Sequence, residues 1–147
     1  MVTRHVEFEA AHMLTGYNGA CGRLHGHSYK LEVAITGQRL ATEEFEDEDF
    51  GFIIDFKELN AILDSVVPDH MFIANGENLE GDTAEAGIVE VLKEFDIDHV
   101  VMPNSPSAEN MVSWLVERIN KILPKGLFVA RADLWETTDS HATWTCI

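Results

Sequence analysis

Two histidines separated by a single glycine, His25 and His27 in the run CGRLHGH, are the residues whose spacing speaks most directly of chemistry. On a strand, side chains at i and i+2 leave the same face roughly 6.6 Å apart, so both imidazoles can turn towards one ion. Gly26 between them leaves room for a neighbouring backbone to come close. His12 shares the parity of Val6, Phe8 and Ala10 in an earlier alternating segment. An adjacent antiparallel strand would bring it in as a third imidazole. Three histidines leave one tetrahedral position open, as in catalytic zinc sites. Taken alone, the HxH pair also reads as two half-buried polar residues making hydrogen bonds. A fourth ligand from Cys21 would instead close the site into a structural His3Cys zinc.

Cys21 stands four residues before His25 in a glycine-bearing turn, so its thiol can hang over the same pocket without binding the ion. Beside a dication its pKa falls, and the thiolate can act as a general base. Asp69 and His70 form a second pair, in which His70 would relay a proton while Asp69 fixes its tautomer or charge. An isolated Asp-His dipeptide in a loop is otherwise surface polarity. Glu136 falls on the apolar parity of the last strand, where a buried carboxylate needs donors to offset its desolvation. A heterocycle bearing an amino group and a ring N–H would supply two of them; a salt bridge to Arg or Lys is the plainer explanation.

The elements that must carry these groups follow from periodicity. Alternation predicts strands over residues 3–12 and 25–35, an apolar strand over 50–54 and a returning strand over 128–138 that places Ala130, Ala132, Leu134 and Glu136 on one side. The acidic stretch 42–49 has no apolar face and reads as a solvated hairpin loop. Asp55 and Glu58 form a capping box ahead of Phe56, Leu59, Ile62, Leu63 and Val66, and Pro68 closes that helix. Asp82 and Glu85 repeat the pattern for a short second helix. Ser107 caps a longer one bearing Met111, Leu115, Ile119 and Ile122 on one face. The order predicts one α+β domain over 1–147, an antiparallel sheet with helices packed on one face.

Bulk composition narrows the function. The 147 residues are 46% hydrophobic and 24% charged, enough for one domain with a core. Lys and Arg total 10 against 26 Asp and Glu, a net charge of -16, which opposes attraction to a nucleic-acid backbone. An anionic substrate would need local positive charge. Two cysteines at opposite ends of the chain, no leader and no apolar run of spanning length point to a reducing cytoplasm and no membrane.

Together the ordered segments FEAAH (8–12), CGRLHGHSY (21–29), FIIDFKEL (52–59), the Asp69–His70 pair, PSAEN (106–110) and Glu136–Thr137 resemble the 6-pyruvoyl-tetrahydropterin synthase superfamily, over nearly the whole chain. The resemblance implies zinc on His12, His25 and His27, a catalytic Cys21, a relay pair Asp69 and His70, and a pterin-anchoring Glu136. It implies the tunnelling fold: a four-stranded antiparallel sheet with helices on one face, trimers closing a barrel, often stacked as hexamers, and active sites at subunit interfaces. The implied substrate is 7,8-dihydroneopterin triphosphate; Ser107 keeps a hydroxyl for binding it, and Arg23 and Lys30 are candidates for offsetting the triphosphate charge, solvent exposure being the plainer reading of both. The short CxxxHGH spacing resembles the 6-carboxy-tetrahydropterin synthase branch of the queuosine and 7-deazaguanine route, which releases acetaldehyde and triphosphate. The sister pyruvoyl branch, a noncatalytic zinc module and a zinc hydrolase are the competing readings. Pro68 where the family has Leu, Ser107 where it has Thr, and the long stretch 75–98 are the departures.

Overall fold

The structure is a computed structural model that describes residues 1–38 and 51–147. Its strands are β1 (Val2–His12), β2 (His25–Gly37), β3 (Met71–Asn75), β4 (His99–Met102), β5 (Leu127–Trp135) and β6 (His141–Thr145). Helices α1 (Phe56–Val66), α2 (Ala84–Glu94) and α3 (Ala108–Ile122) connect them. The six strands form one sheet in the order β4-β3-β1-β2-β5-β6. Four of these, β1-β2-β5-β6, pair antiparallel as expected. The remaining two make the sheet mixed, because β3 adds parallel to β1 and β4 parallel to β3.

The expected alternation of β1 and β2 is observed. Phe8, Ala10 and His12 are buried on β1, as are Tyr29, Leu31, Val33 and Ile35 on β2. Helix α1 begins at Asp55, whose carboxylate accepts the Lys57 N–H at 2.6 Å, and buries Leu59, Leu63 and Val66. Helix α3 begins at Ser107, whose hydroxyl accepts the Asn110 N–H, and buries Met111, Val112, Leu115, Val116 and Ile119. Both helices join the main core with Leu31, Val33, Ile35, Ala132 and Leu134. Each fully buried Leu, Ile or Val side chain there stabilises the fold by about 1.5–3 kcal/mol relative to exposure.

Several expectations are corrected. Residues 51–54 form no strand, although Ile54 is buried; Phe50 and the acidic stretch 42–49 lie outside the described residues. Strands β3, β4 and β6 are too short for a periodic signal. Helix α2 is capped by Thr83, whose hydroxyl accepts the Ala86 N–H at 3.0 Å, and not by Asp82. Nor do all helices share one face. Val89 of α2 packs with Met13, Phe72 and Ala74 in a second cluster, and Phe72 and Ala74 alternate with Ile73, which belongs to the main core. Residues 75–98 are therefore the crossover of a β-α-β unit that adds β4 in parallel, as a parallel pair requires.

Strand β5 carries a bulge. Ala34 pairs with Arg131 but Ile35 with Val129, leaving Ala130 unmatched. Leu127 and Val129 are buried before it, and Ala132 and Leu134 after it. Ala130 thus leaves the parity expected of it, while Leu134 still points towards the core next to Glu136. The strand ends at Trp135, and the Glu136 N–H donates to the Ser140 carbonyl at 3.1 Å in the hairpin to β6. Among the described residues no helix is long and apolar enough to cross a membrane.

Candidate metal centre and adjoining cavity

Antiparallel register assembles the three histidines. His12 lies directly opposite His25, and Ala10 opposite His27, so all three imidazoles emerge on one face at the end of the β1-β2 pair. Their ring centroids are 4.6 Å (His12–His25), 5.2 Å (His12–His27) and 4.9 Å (His25–His27) apart. One ring nitrogen from each lies within 4.8 Å of the other two. Gly26 permits this packing: a Cβ there would meet the Ala10 carbonyl oxygen at 2.8 Å.

Outer hydrogen bonds set the tautomers. The His12 Nδ1–H donates to the Pro106 carbonyl and the His25 Nδ1–H to the Arg23 carbonyl, each at 2.7 Å. That leaves both Nε2 lone pairs facing each other at 3.2 Å. Two neutral imidazoles with opposed lone pairs gain nothing from such an approach; a shared cation between them would make it favourable. Burial lowers the His12 pKa, and the neighbouring His25 and His27 add to that, against opposing contributions from the Pro106 carbonyl and Glu136. A neutral ring is the form a metal binds. The donor set therefore fits a divalent cation that accepts nitrogen ligands.

Cys21, Glu136 and Ser107 join His12 around one cavity, which Leu14, Glu109, Ser140 and His141 also line. Cys21 is a free, exposed thiol on the 3-10 turn Ala20–Gly22. Gly22 makes that turn possible, since a Cβ would fall 2.2 Å from the Tyr17 carbonyl oxygen. Among the described residues the cluster of metal-ligating donors comprises the three histidines and does not include Cys21. Cys21 thus stands apart from the donor cluster while lining the cavity that His12 borders.

Glu136 reaches the same place from the β5-β6 hairpin, with Oε1 3.9 Å from His12 Nε2. Among the described residues its ion-pair partner is this histidine and not an Arg or Lys. Between them stands Tyr29, whose hydroxyl lies 3.3 Å from His12 Nε2 and 3.5 Å from Glu136 Oε1. Burial, then the charge of Glu136 and its hydrogen bond, then Cys21, push the phenol far above its ordinary pKa, so it remains a neutral O–H. Sequence reasoning passed over Tyr29 as a site residue, although its parity with His25 and His27 carried the signal. Glu109, Ser140 and His141 arrive from remote elements and had no periodic signal.

The remaining candidates lie elsewhere. Lys30 lines a second cavity with Glu7, Glu9, Ser28 and Trp135, which His27 and Glu136 also border. Arg23 is exposed and contributes its carbonyl to His25. Asp69 and His70 line neither cavity. They are strapped to β1, with the His70 N–H donating to the Glu9 carbonyl at 2.6 Å and the Glu9 N–H to Asp69 Oδ1 at 2.9 Å. His70 Nδ1 lies 2.9 Å from Asp69 Oδ1, and both side chains are at least half exposed. The Glu9 N–H, then His70, hold the Asp69 carboxyl below its ordinary range. His70 adopts φ 57°, a left-handed conformation uncommon for a residue with a side chain.

Residues 1–146 match the 6-pyruvoyl tetrahydropterin synthase family. The chain belongs to that family. It is 29% identical over 146 residues to a 6-carboxy-5,6,7,8-tetrahydropterin synthase of Haemophilus influenzae, covering 97% of this chain and 96% of the relative. A protein of the same name from Rickettsia felis is 30% identical over 144 residues, covering 92% of each. Among solved structures, a protein of Wolinella succinogenes superposes with a TM-score of 0.68 at 21% identity, covering 98% of this chain and 96% of the other. The 6-pyruvoyl tetrahydropterin synthase of Caenorhabditis elegans gives 0.63 at 19% identity, covering 99% and 94%. At these identities the structural matches speak for the fold alone.

Proposed function

We propose that this protein converts 7,8-dihydroneopterin triphosphate to 6-carboxy-5,6,7,8-tetrahydropterin, releasing acetaldehyde and triphosphate, in the cytoplasmic route to 7-deazaguanine nucleosides. One observation carries the reading: the three-histidine cluster, Cys21 and Glu136 meet around His12 in a chain whose full-length relatives bear that name. Zinc, held by His12, His25 and His27, would supply Lewis acidity towards the substrate's side-chain hydroxyls. Cys21 moves a proton at the side-chain carbon. Glu136 accepts hydrogen bonds from the pterin amino group and ring N–H, with the Tyr29 hydroxyl steadying its carboxylate. Ser107 offers a hydroxyl at the cavity wall, and Arg23 and Lys30 offset the triphosphate charge. Incubation with 7,8-dihydroneopterin triphosphate and mass identification of products should yield 6-carboxy-tetrahydropterin with trapped acetaldehyde. A mixture dominated by 6-pyruvoyl-tetrahydropterin, without acetaldehyde, would overturn the branch.

The same reading makes the working unit an oligomer. Asp69 and His70 stand outside the cavity of their own chain, so their relay role needs a second copy to bring them there. Strands β4 and β6 also leave the two ends of the sheet unpaired within the described chain, edges that association would cover. Sedimentation should give a trimer or hexamer. An active, monodisperse monomer would contradict it.

A further inference from the structure

Glu85 is a carboxylate with no exposed surface, on the first turn of α2 in the β3-β4 crossover. Burying a charge is costly unless donors surround it, and three do. The Asn75 N–H donates to Oε1 at 2.6 Å, and the Asn78 Nδ2–H to Oε2 at 2.8 Å. Both come from the crossover itself. The third, the Thr15 hydroxyl, donates to Oε2 at 2.7 Å from the loop joining β1 to β2. That loop carries Cys21; Met13 anchors its start in the second cluster, but every residue from Thr15 to Cys21 is exposed and adds no apolar anchor. Its own backbone is closed on itself: the Leu14 N–H donates to the Cys21 carbonyl at 2.8 Å, and the Tyr17 N–H to the Leu14 carbonyl at 3.0 Å. Among the described residues the Thr15–Glu85 bond is the one side-chain hydrogen bond from residues 15–21 to another element.

We infer that Glu85 is a positioning residue: through Thr15 it fixes the loop that holds the Cys21 thiol over the cavity beside His12, which gives the crossover a part in the chemistry. The inference rests on the role proposed for Cys21. Thr15→Val removes the loop's arm of the tether and leaves both crossover donors on Glu85, whereas Glu85→Ala risks unfolding the crossover. In the zinc-loaded, full-length Thr15→Val protein we expect kcat to fall about tenfold with KM within about twofold, because the thiol is displaced while the binding groups are not. Alkylation of Cys21 by iodoacetamide, measured without substrate, should change at least about threefold as the exposed thiol leaves its place over the cavity. Cys146, distant in sequence and exposed, serves as the internal reference. Thr15→Ser, which keeps the hydroxyl, should restore both values, a rescue that general loosening would not predict.

Parent-like alkylation in Thr15→Val overturns the tether, whatever the turnover. Altered alkylation with unchanged kcat overturns its catalytic part. If the parent itself fails to turn over the pterin, the proposed function falls while the alkylation comparison still decides the tether.

Discussion

Replacing both His25 and His27 by alanine is expected to reduce bound zinc from about one ion per chain to under about a tenth, and to abolish turnover, while the strands remain. Two of three nitrogens are lost, and His12 alone offers a single ligand. The fold should tolerate the change because both rings are only partly buried at the end of the sheet, whereas the core lies further along β2, at Leu31, Val33 and Ile35. Metal analysis of the purified protein, with circular dichroism alongside, provides the check. Single alanine replacements of His5, His99 and His141 should leave zinc at the parent level, since none belongs to the cluster. Undiminished zinc in the double variant would remove the assignment.

The second large effect is expected at Cys21. Cys21→Ala should keep its zinc, keep its thermal midpoint and lose on the order of 10²–10⁴-fold in kcat, the usual contribution of a positioned acid–base group. Stability should move little, because the thiol is exposed and packs in no core. Zinc content and turnover together discriminate between the two roles a cysteine has beside such a cluster. Loss of metal and fold in one step would mean a closed structural site. Retention of metal with loss of chemistry would place the thiol on the substrate's side of an open coordination position.

Much of the site was legible in the chain because the groups that form its centre sit on long strands, where a period of two assigns faces without ambiguity. His12, His25 and His27 needed only parity and an antiparallel pairing to converge. Ser107 and Asp55 were legible as helix caps because a cap is a local hydrogen bond between residues two or three apart. Strands β3, β4 and β6 were not, since four or five residues carry too few alternations to separate a strand from a loop. The expectation of a strand failed over 51–54 for the complementary reason: an apolar residue can be buried outside a strand, as Ile54 is, while Phe52 two residues before it stays exposed.

By itself, then, the sequence determined the α+β class, the face that each histidine takes and the family, all of them properties of local pattern or ordered motif. Tertiary structure decided the rest. It placed Tyr29 between His12 and Glu136, drew the Pro106 carbonyl onto His12, and left Asp69 and His70 outside the cavity. It also turned the long stretch after β3 into a crossover whose buried Glu85 reaches back to the Cys21 loop. These contacts join residues up to 107 positions apart, as Tyr29 and Glu136 are. No periodicity spans such a distance, because which remote groups meet is settled by the pairing order of the sheet and the packing of helices on its two faces.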